Sequence, residues 1–275
     1  MVDSQIYDTA DLVYLMERLR DRKTGCPWDI KQSFASVVPC TLEETYEVID
    51  AIEREDFSHL REELGDLLFQ VIFYCQLGAE QKQFDFADVV SGLVHKLIAR
   101  HPHVFPDKTL TSERQSDEVL EDGQIRNNWE ALKRRDRKQK GVIGRLADVP
   151  LALPALSRST KLQKRASRHG FDWSHINQVV EKIDEELAEL KEALDTDSID
   201  LVEEELGDLF FACVNFSRHS ALDAESVLRR ANQKFESRFA AMEQQAREDG
   251  VDFDTLPADK KNRLWELAKQ IERKP

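Results

Sequence analysis

Apolar residues recur along most of the chain at the three- and four-residue spacing that is typical of amphipathic helices. In the first half, this spacing predicts helices over residues 9–24, 41–54, 58–80 and 86–100. In the second half, it predicts helices over residues 154–168, 175–194, 198–219, 224–248 and 258–272. No segment alternates apolar and polar residues as a half-buried strand does. The chain is therefore predicted to be all-α and to form helical bundles.

An acidic pattern occurs twice along these helices. Glu-Glu-x-x-Glu begins at residues 43 and 185, and Glu-Glu-Leu-Gly-Asp follows on the next helix at residues 62 and 204, so the two copies are 142 residues apart. The repeat predicts two tandem domains, residues 1–132 and 150–275, joined by a basic linker at 133–149. Gly65 and Gly207 interrupt apolar helices in both copies, which predicts a close approach of helices at these two points.

The overall composition indicates which classes of binding partner are not expected. The chain has a formal net charge of −14, so neither nucleic acid nor an anionic membrane is an expected partner. Its four cysteines lack the spacing of a metal site, which favours a reducing, cytoplasmic compartment. No apolar run approaches the length of a membrane span, and the N-terminal residues do not resemble a signal sequence.

The repeated acidic pattern predicts a cation site. In the second copy, Glu186 and Glu189 share one helix face, and Glu205 and Asp208 share a face of the following helix. The short connection at 195–197 makes these helices antiparallel, which can bring the four carboxylates together. Two carboxylates about 5 Å apart repel by about 3 kcal/mol at an effective dielectric constant near 20. Protonation, splaying into water or a bound cation could relieve the repulsion, and oxygen-only ligands favour Mg²⁺, with Mn²⁺ as a substitute.

The same pattern resembles the all-α nucleoside triphosphate pyrophosphohydrolases, and the tandem arrangement is similar to the MazG family over nearly the whole chain. Further segments that carry the resemblance are Cys26-Pro27-Trp28-Asp29, Arg100-His101-Pro102-His103-Val104-Phe105, Gly170-Phe171-Asp172-Trp173 and Asn232-x-Lys234-Phe235-x-x-Arg238-Phe239. The resemblance implies two domains of the all-α NTP pyrophosphatase type, and a homodimer. It also implies Mg²⁺-dependent cleavage of NTPs and dNTPs, including ATP, between the α and β phosphates.

The resemblance also assigns roles to residues of the second copy. It implies that the catalytic metal ligands are Glu186, Glu189, Glu205 and Asp208. It implies that the residues that bind the nucleotide are Lys182, Lys234, Arg238 and Trp265, with the three basic groups on the phosphates and the indole on the base. The group that prepares the attacking water stays open between one of the carboxylates and a hydroxide on the metal.

The first copy retains the acidic residues but fewer polar neighbours. Its carboxylates are Glu43, Glu44, Glu47, Glu63 and Asp66. Val94 occupies the position equivalent to Asn232, and Phe73 occupies the position equivalent to Asn215. We therefore expect the second copy to do most of the catalysis and the first to be structural or weakly active.

Other protein classes fit the sequence less well. A di-iron or di-manganese bundle needs Glu-x-x-His, and none of the seven histidines has a glutamate three residues before it. The His-Asp pair of HD-type phosphohydrolases and the upstream spacing of Nudix hydrolases are also missing. The main alternative is a non-catalytic, dimeric helical scaffold that binds a nucleotide or a protein without releasing pyrophosphate.

Overall fold

A computed structural model of the protein describes residues 6–113 and 144–272, together with Gly123 and Gly141. The chain divides into two compact units, with the boundary between Arg135 and Asp136. Across the described residues there are nine α-helices and no strand, which confirms the all-α prediction. Most of the predicted linker, including the basic run at 133–140, lies outside the described residues. No helix in the described ranges is both long enough and apolar enough to span a bilayer.

The first unit is built around a central helix. Its helices are α1 Thr9–Leu19, α2 Phe34–Glu53, α3 Phe57–Glu80 and α4 Phe86–Arg100, with a short 3₁₀ turn at Asp29–Lys31. Helix α3 contacts the other three helices. The buried core is formed by Met16, Val37, Ile72, Phe73 and Leu77. Burial of these apolar side chains holds α1 and α2 against the central helix.

The second unit contains five helices. They are α5 Ala155–Ser167, α6 Ile176–Leu194, α7 Ile199–His219, α8 Ala224–Glu248 and α9 Ala258–Glu272. Helices α6 and α7 form the most extensively packed pair, α5 packs against α7, and α9 packs against α8. The short connection at 195–197 makes α6 and α7 neighbours, as the sequence predicted.

Helix boundaries in the first unit differ from the prediction at two points. Helix α1 ends at Leu19 and not at residue 24, because the chain folds back onto the helix end: the Cys26 amide donates to the Leu19 carbonyl oxygen at 2.7 Å. Helix α2 begins at Phe34 and not near residue 41. Ser33 and Ser36 form a capping box there, and Pro39 is accommodated inside the helix.

The other helix ends agree closely with the prediction. Asp56 accepts a hydrogen bond from the His59 amide at 3.1 Å and so caps α3. Asp85, Ser198 and Asp223 cap α4, α7 and α8 in the same way. A side-chain oxygen at these positions satisfies backbone amides that have no partner within the helix.

Gly65 and Gly207 do not mark a close helix approach, so that prediction is wrong. A Cβ built on either glycine meets no atom within 4 Å among the described residues. A close approach does require glycine at Gly25 and Gly78 among the described residues of the first unit. A Cβ on Gly25 would collide with the backbone carbonyl oxygens of Leu19 and Asp21, and a Cβ on Gly78 with the backbone oxygen and the ring of Phe84. The two glycines of the acidic pattern instead lie on an open helix surface.

Candidate active site

Three carboxylates of the second unit lie together. Glu186 on α6 and Glu205 and Asp208 on α7 each offer an oxygen atom, and these atoms all lie within 4.8 Å of one another. Glu186 is buried, Glu205 is half-buried and Asp208 is exposed. The cluster therefore runs from the interior of the α6–α7 pair to its surface. Glu205 and Asp208 are three residues apart on α7, so their side chains project from one face of that helix and can meet Glu186 on α6.

Glu189 lies beside this cluster but is not one of the three. Its side chain is exposed. Loss of hydration raises the pKa of its carboxyl, and the charges of Glu186 and Glu205 raise this pKa further, while the Lys182 ammonium opposes them. Because the charges of Glu186 and Glu205 affect the pKa of Glu189, the Glu189 carboxyl lies close to the cluster. The structure thus brings together three of the four predicted ligands and leaves the fourth at the edge.

Lys182 supplies a positive charge to the cluster. Its Nζ lies 2.6 Å from Glu185 Oε1 and 2.9 Å from Glu186 Oε1. These hydrogen bonds, the one to Glu185 first, raise the pKa of the ammonium well above its usual value. Lys182 is therefore charged at any physiological pH and offsets part of the repulsion among the carboxylates. Its position one turn before Glu186 was predicted, but its ion pairs were not.

A cavity of about 510 Å³ adjoins the cluster in the second unit. Lys182, Glu186 and Asp208 form part of its wall. The apolar part of the wall comes from Leu146, Leu162, Ala166, Phe171, Trp173, Phe211 and Ala212. A cavity of this size with a few converging polar groups is typical of a small-molecule site. The wall of this one cavity thus has a charged region at the carboxylates and a larger apolar region.

A polar network closes another part of the cavity wall. Arg218 on α7 donates to Asp172 through Nη1 at 3.0 Å and through Nη2. His219 Nε2 lies 3.0 Å from Asp172 Oδ1. The Arg218 hydrogen bond, followed by that of His219, lowers the pKa of Asp172. Asp172 lies in the segment 170–173, which the sequence singled out, so the network attaches that segment to the end of α7.

Two amide side chains also line the cavity. Gln163 on α5 is buried, and its Nε2 donates to the Phe211 carbonyl oxygen at 2.9 Å. Its Oε1 has no hydrogen-bond partner among the residues the structure describes. Asn215 on α7 accepts hydrogen bonds from Arg218. Sequence reasoning noted Asn215 only as a difference between the two copies, and it missed Gln163, Arg218 and His219, which have no recognisable sequence signal.

The remaining predicted nucleotide-binding residues form a separate group. Lys234 and Arg238 lie on α8, and Trp265 lies on α9. The Arg238 guanidinium lies over the Trp265 ring at 5.4 Å from its centroid, within the distance of a cation–π interaction. Phe235 packs against the same indole at 5.4 Å between ring centroids. None of Lys234, Arg238 and Trp265 belongs to the described lining of the 510 Å³ cavity.

The first unit has a matching carboxylate cluster. Glu44 on α2 and Glu63 and Asp66 on α3 offer oxygens that lie within 4.8 Å of one another. His59 Nε2 lies 2.6 Å from Glu63 Oε1, and Gln70 donates to Glu44 at 3.4 Å. Burial raises the pKa of Glu44 and of Glu63, and neighbouring carboxylates raise it further.

The surroundings of the two clusters differ. Cys40 stands where the repeat places Lys182, so the first cluster has no lysine at that position. Phe73, at the position of Asn215, is 2% exposed and belongs to the core. The buried Arg20 guanidinium lies 5.3 Å from the centre of the Phe73 ring. Packed side chains therefore occupy the region that is polar in the second unit.

Both clusters have the chemistry of a site for a hard divalent cation. Their ligand atoms are carboxylate oxygens, which Mg²⁺ and Mn²⁺ prefer, and neither contains cysteine. The coupled carboxylates also give a physical reason to bind a cation, because it would remove their mutual repulsion. The donor set fits a metal that is held by a few carboxylates and that leaves positions for substrate oxygens.

Comparison with known proteins agrees with this site. The profile of the MazG nucleotide pyrophosphohydrolase domain matches the chain twice, at residues 32–105 and 175–241, and each match contains one cluster. A nucleoside triphosphate pyrophosphohydrolase of Escherichia coli is 45% identical over 95% of this chain and 97% of its own length. A nucleoside triphosphate pyrophosphohydrolase/pyrophosphatase of Thermotoga maritima, named MazG, is 42% identical over 94% of both chains.

Proposed function

This chain belongs to the MazG nucleotide pyrophosphohydrolase family, and on that premise we propose that it hydrolyses NTPs and dNTPs between the α and β phosphates with Mg²⁺. The products are a nucleoside monophosphate and pyrophosphate. The observation that carries the proposal is the group of three carboxylates, Glu186, Glu205 and Asp208. Two of them, Glu186 and Asp208, lie on the wall of a cavity large enough for a nucleoside. A polyphosphate needs a cation to approach an acidic protein, and this group can hold one.

The carboxylates act as metal ligands in this proposal. Glu186, Glu205 and Asp208 hold the cation, and Glu189 joins them from the edge of the cluster. Mg²⁺, when bound, neutralises the triphosphate and acidifies a water molecule. One carboxylate accepts a proton as the water oxygen bonds to the α-phosphorus. The bond from that phosphorus to the oxygen bridging the β-phosphorus then breaks, and pyrophosphate leaves.

The basic residues position the phosphates. Lys182 is already within hydrogen-bond distance of Glu186, and its ammonium can turn to a phosphate oxygen once a cation occupies the cluster. We assign phosphate contacts to Lys234 and Arg238 because the family resemblance implies them and because they lie four residues apart on one helix face. Trp265, beside Arg238, is assigned to the base on the same ground.

Product analysis tests the reaction. The purified chain is incubated with a panel of NTPs and dNTPs, with Mg²⁺ or with EDTA, and the products are separated. We expect monophosphate and pyrophosphate with Mg²⁺ only, and a loss of at least about 100-fold in Glu186→Gln, because a metal site supplies several kcal/mol of stabilisation. Diphosphate and phosphate would contradict the cleavage position. Nucleotide binding without turnover would instead support the scaffold.

The first unit is proposed to be structural or weakly active. Phe73 and Arg20 are packed where the second unit has a polar cavity wall. The matched variant Glu44→Gln, at the position equivalent to Glu186, should keep at least half of the wild-type kcat/KM. If Glu44→Gln abolished activity and Glu186→Gln kept it, the roles of the two units would be reversed.

We also propose a cytoplasmic homodimer. Leu187, Leu194, Leu206 and Phe210 leave apolar surface exposed on the α6–α7 pair, and Phe210 is 57% exposed. A second copy of the chain would bury such a face. Light scattering after gel filtration should give about twice 31.8 kDa, and Phe210→Asp should shift the species to a monomer. All four cysteines are unpaired, which suits a reducing compartment.

A further inference from the structure

The side-chain amide of Asn215 has a fixed orientation. Its Oδ1 accepts hydrogen bonds from Arg218 Nε at 3.2 Å and from Arg218 Nη2 at 2.6 Å. A guanidinium only donates, so turning the amide over would bring the Nδ2 donor against these donors. Arg218 is itself held by Asp172, which prevents it from moving away. The two ends of the Asn215 amide are therefore not interchangeable.

The fixed orientation leaves one donor for a ligand. Asn215 is half-buried and lines the 510 Å³ cavity. Its Nδ2 has no acceptor among the residues that the structure describes. Because a buried or half-buried donor gains from a partner, a molecule in this cavity would gain from offering an acceptor to Nδ2.

The position of Asn215 suits contact with the nucleoside part of a substrate. Asp208 and Asn215 are both on α7, seven residues apart, which is close to two turns and about 10 Å along the axis. Both line the same cavity. With the phosphates at the carboxylates, this separation matches the extent of a nucleoside. Trp173 and Phe211 add aromatic surface to the wall, which suits the flat faces of a base.

We propose that Asn215 is a specificity-determining residue whose Nδ2 donates to a carbonyl oxygen of the nucleobase. This inference rests on the proposed function, since it identifies which triphosphates that site prefers. Uracil, thymine, cytosine, guanine and hypoxanthine carry a carbonyl oxygen, and adenine does not. A carbonyl oxygen accepts over a broad range of directions. The enzyme then favours carbonyl-bearing bases over adenine.

The first unit provides a comparison within the same chain. The repeat places Phe73 at the position of Asn215 and Gln76 at the position of Arg218. Phe73 is part of the hydrophobic core and has no donor. The first unit therefore lacks both the amide and the guanidinium that orients it, in agreement with a role of this pair in binding substrate.

Two matched substrates test the proposal on the wild-type protein. Inosine triphosphate has a 6-carbonyl oxygen, and purine riboside triphosphate lacks it. With Mg²⁺, we expect kcat/KM for pyrophosphate release to be about tenfold higher for inosine triphosphate, the value of one neutral hydrogen bond. Equal kcat/KM for the two substrates would overturn the proposal. Absence of pyrophosphate release from every triphosphate would overturn the proposed function, which is a different result.

The variant Asn215→Asp removes the donor and keeps the acceptor for Arg218. The ratio of kcat/KM for the two substrates should fall from about ten to about one. The added negative charge lowers both rates alike, so the ratio is the informative quantity. Asn262→Asp, on the exposed surface of α9, adds the same charge and should keep the ratio near ten. A ratio that stays near ten in Asn215→Asp would overturn the assignment. Thermal unfolding checks that both variants are folded.

Discussion

At the scale of single residues, a metal ion at the proposed site would compete with Lys182 for one carboxylate. Lys182 Nζ lies 2.9 Å from Glu186 Oε1, so the ammonium occupies the place of a cation before one binds. A divalent ion must displace it, and the displaced charge is then available to the triphosphate. The residue that stabilises the metal-free cluster is thus the same residue that we propose to contact the substrate phosphates.

Replacing Lys182 with Gln should separate the effect of this side chain on metal binding from its effect on nucleotide binding. Without nucleotide, Mn²⁺ should bind Lys182→Gln several-fold more tightly, because the competing ammonium is gone. With nucleotide, KM should rise about tenfold or more, because a charge-assisted hydrogen bond to phosphate is lost. Calorimetry gives the first quantity and steady-state kinetics the second. Lys191→Gln, on the exposed end of the same helix, is the control and should change neither.

The candidate site could be predicted from the sequence only in part. The spacing of three residues identified Glu186, Glu205 and Asp208, because residues on one helix face meet a facing helix whatever the rest of the fold does. Asn215 and Arg218 continue this face of α7 seven and ten residues after Asp208, but the spacing does not show that this part of the face borders a cavity. Gln163 on α5 has no such spacing at all. All three reach the cavity because segment 170–173 and α5 pack against α7, and that packing leaves no local pattern in the sequence.

At the scale of helices, local signals decided where the prediction succeeded. Helix ends marked by Asp56, Asp85 and Asp223 were predicted to within one or two residues, because a capping side chain is a local signal. The start of α2 was missed because Pro39 normally interrupts a helix. Here the capping box at Ser33 begins the helix before the proline, and the apolar burial of α2 against α3 outweighs the lost hydrogen bond.

Substitutions at Gly207 and Gly25 test whether there is space for a side chain at each position. Gly207→Ala should raise the free energy of unfolding by about 0.5–1 kcal/mol, because a Cβ there meets no described atom and alanine favours the helix. Gly25→Ala should lower it by more than that, since its Cβ would collide with backbone oxygens. Urea unfolding followed by circular dichroism measures both. A destabilised Gly207→Ala protein would mean that a second chain packs against α7 at this point.

The Arg20–Glu80 ion pair joins the ends of α1 and α3 and should make the stability depend on pH. Arg20 is buried and lies 2.7 Å from Glu80; its hydrogen bond lowers the pKa of Glu80. Such a carboxyl stabilises the fold above its ordinary pKa of about 4.5 and loses this contribution as the pH falls through the lower, folded-state pKa.

The variant Glu80→Gln should therefore lower the free energy of unfolding by about 3 kcal/mol at pH 7, because it leaves a buried guanidinium without its counter-charge. The difference from wild type should shrink below pH 4. Asp50→Asn, which breaks an exposed pair with Arg54, should cost no more than about 0.5 kcal/mol. A Glu80→Gln deficit that stayed constant down to pH 3 would show that the charge of Glu80 is not the cause.

At the scale of the whole molecule, two related units carry one type of acidic cluster in two environments. Metal binding should therefore stabilise the two units to different extents. Mg²⁺ at about one hundred times its Kd should add about 2.7 kcal/mol to the stability of the second unit. Differential scanning calorimetry with and without Mg²⁺ should detect this as a higher Tm. Glu186→Gln should lose the shift of the second unit and Glu44→Gln should keep it; the opposite pattern would contradict the assignment.

The ion pair between Lys182 and Glu186 also bears on how the enzyme responds to changes in its supply of metal. Because the Lys182 ammonium neutralises part of the carboxylate charge in place of a cation, the α6–α7 pair can fold before any metal binds. With the proposed Mg²⁺ dependence, activity would stop when magnesium runs short and resume within the time of ion exchange, without a cycle of unfolding and refolding.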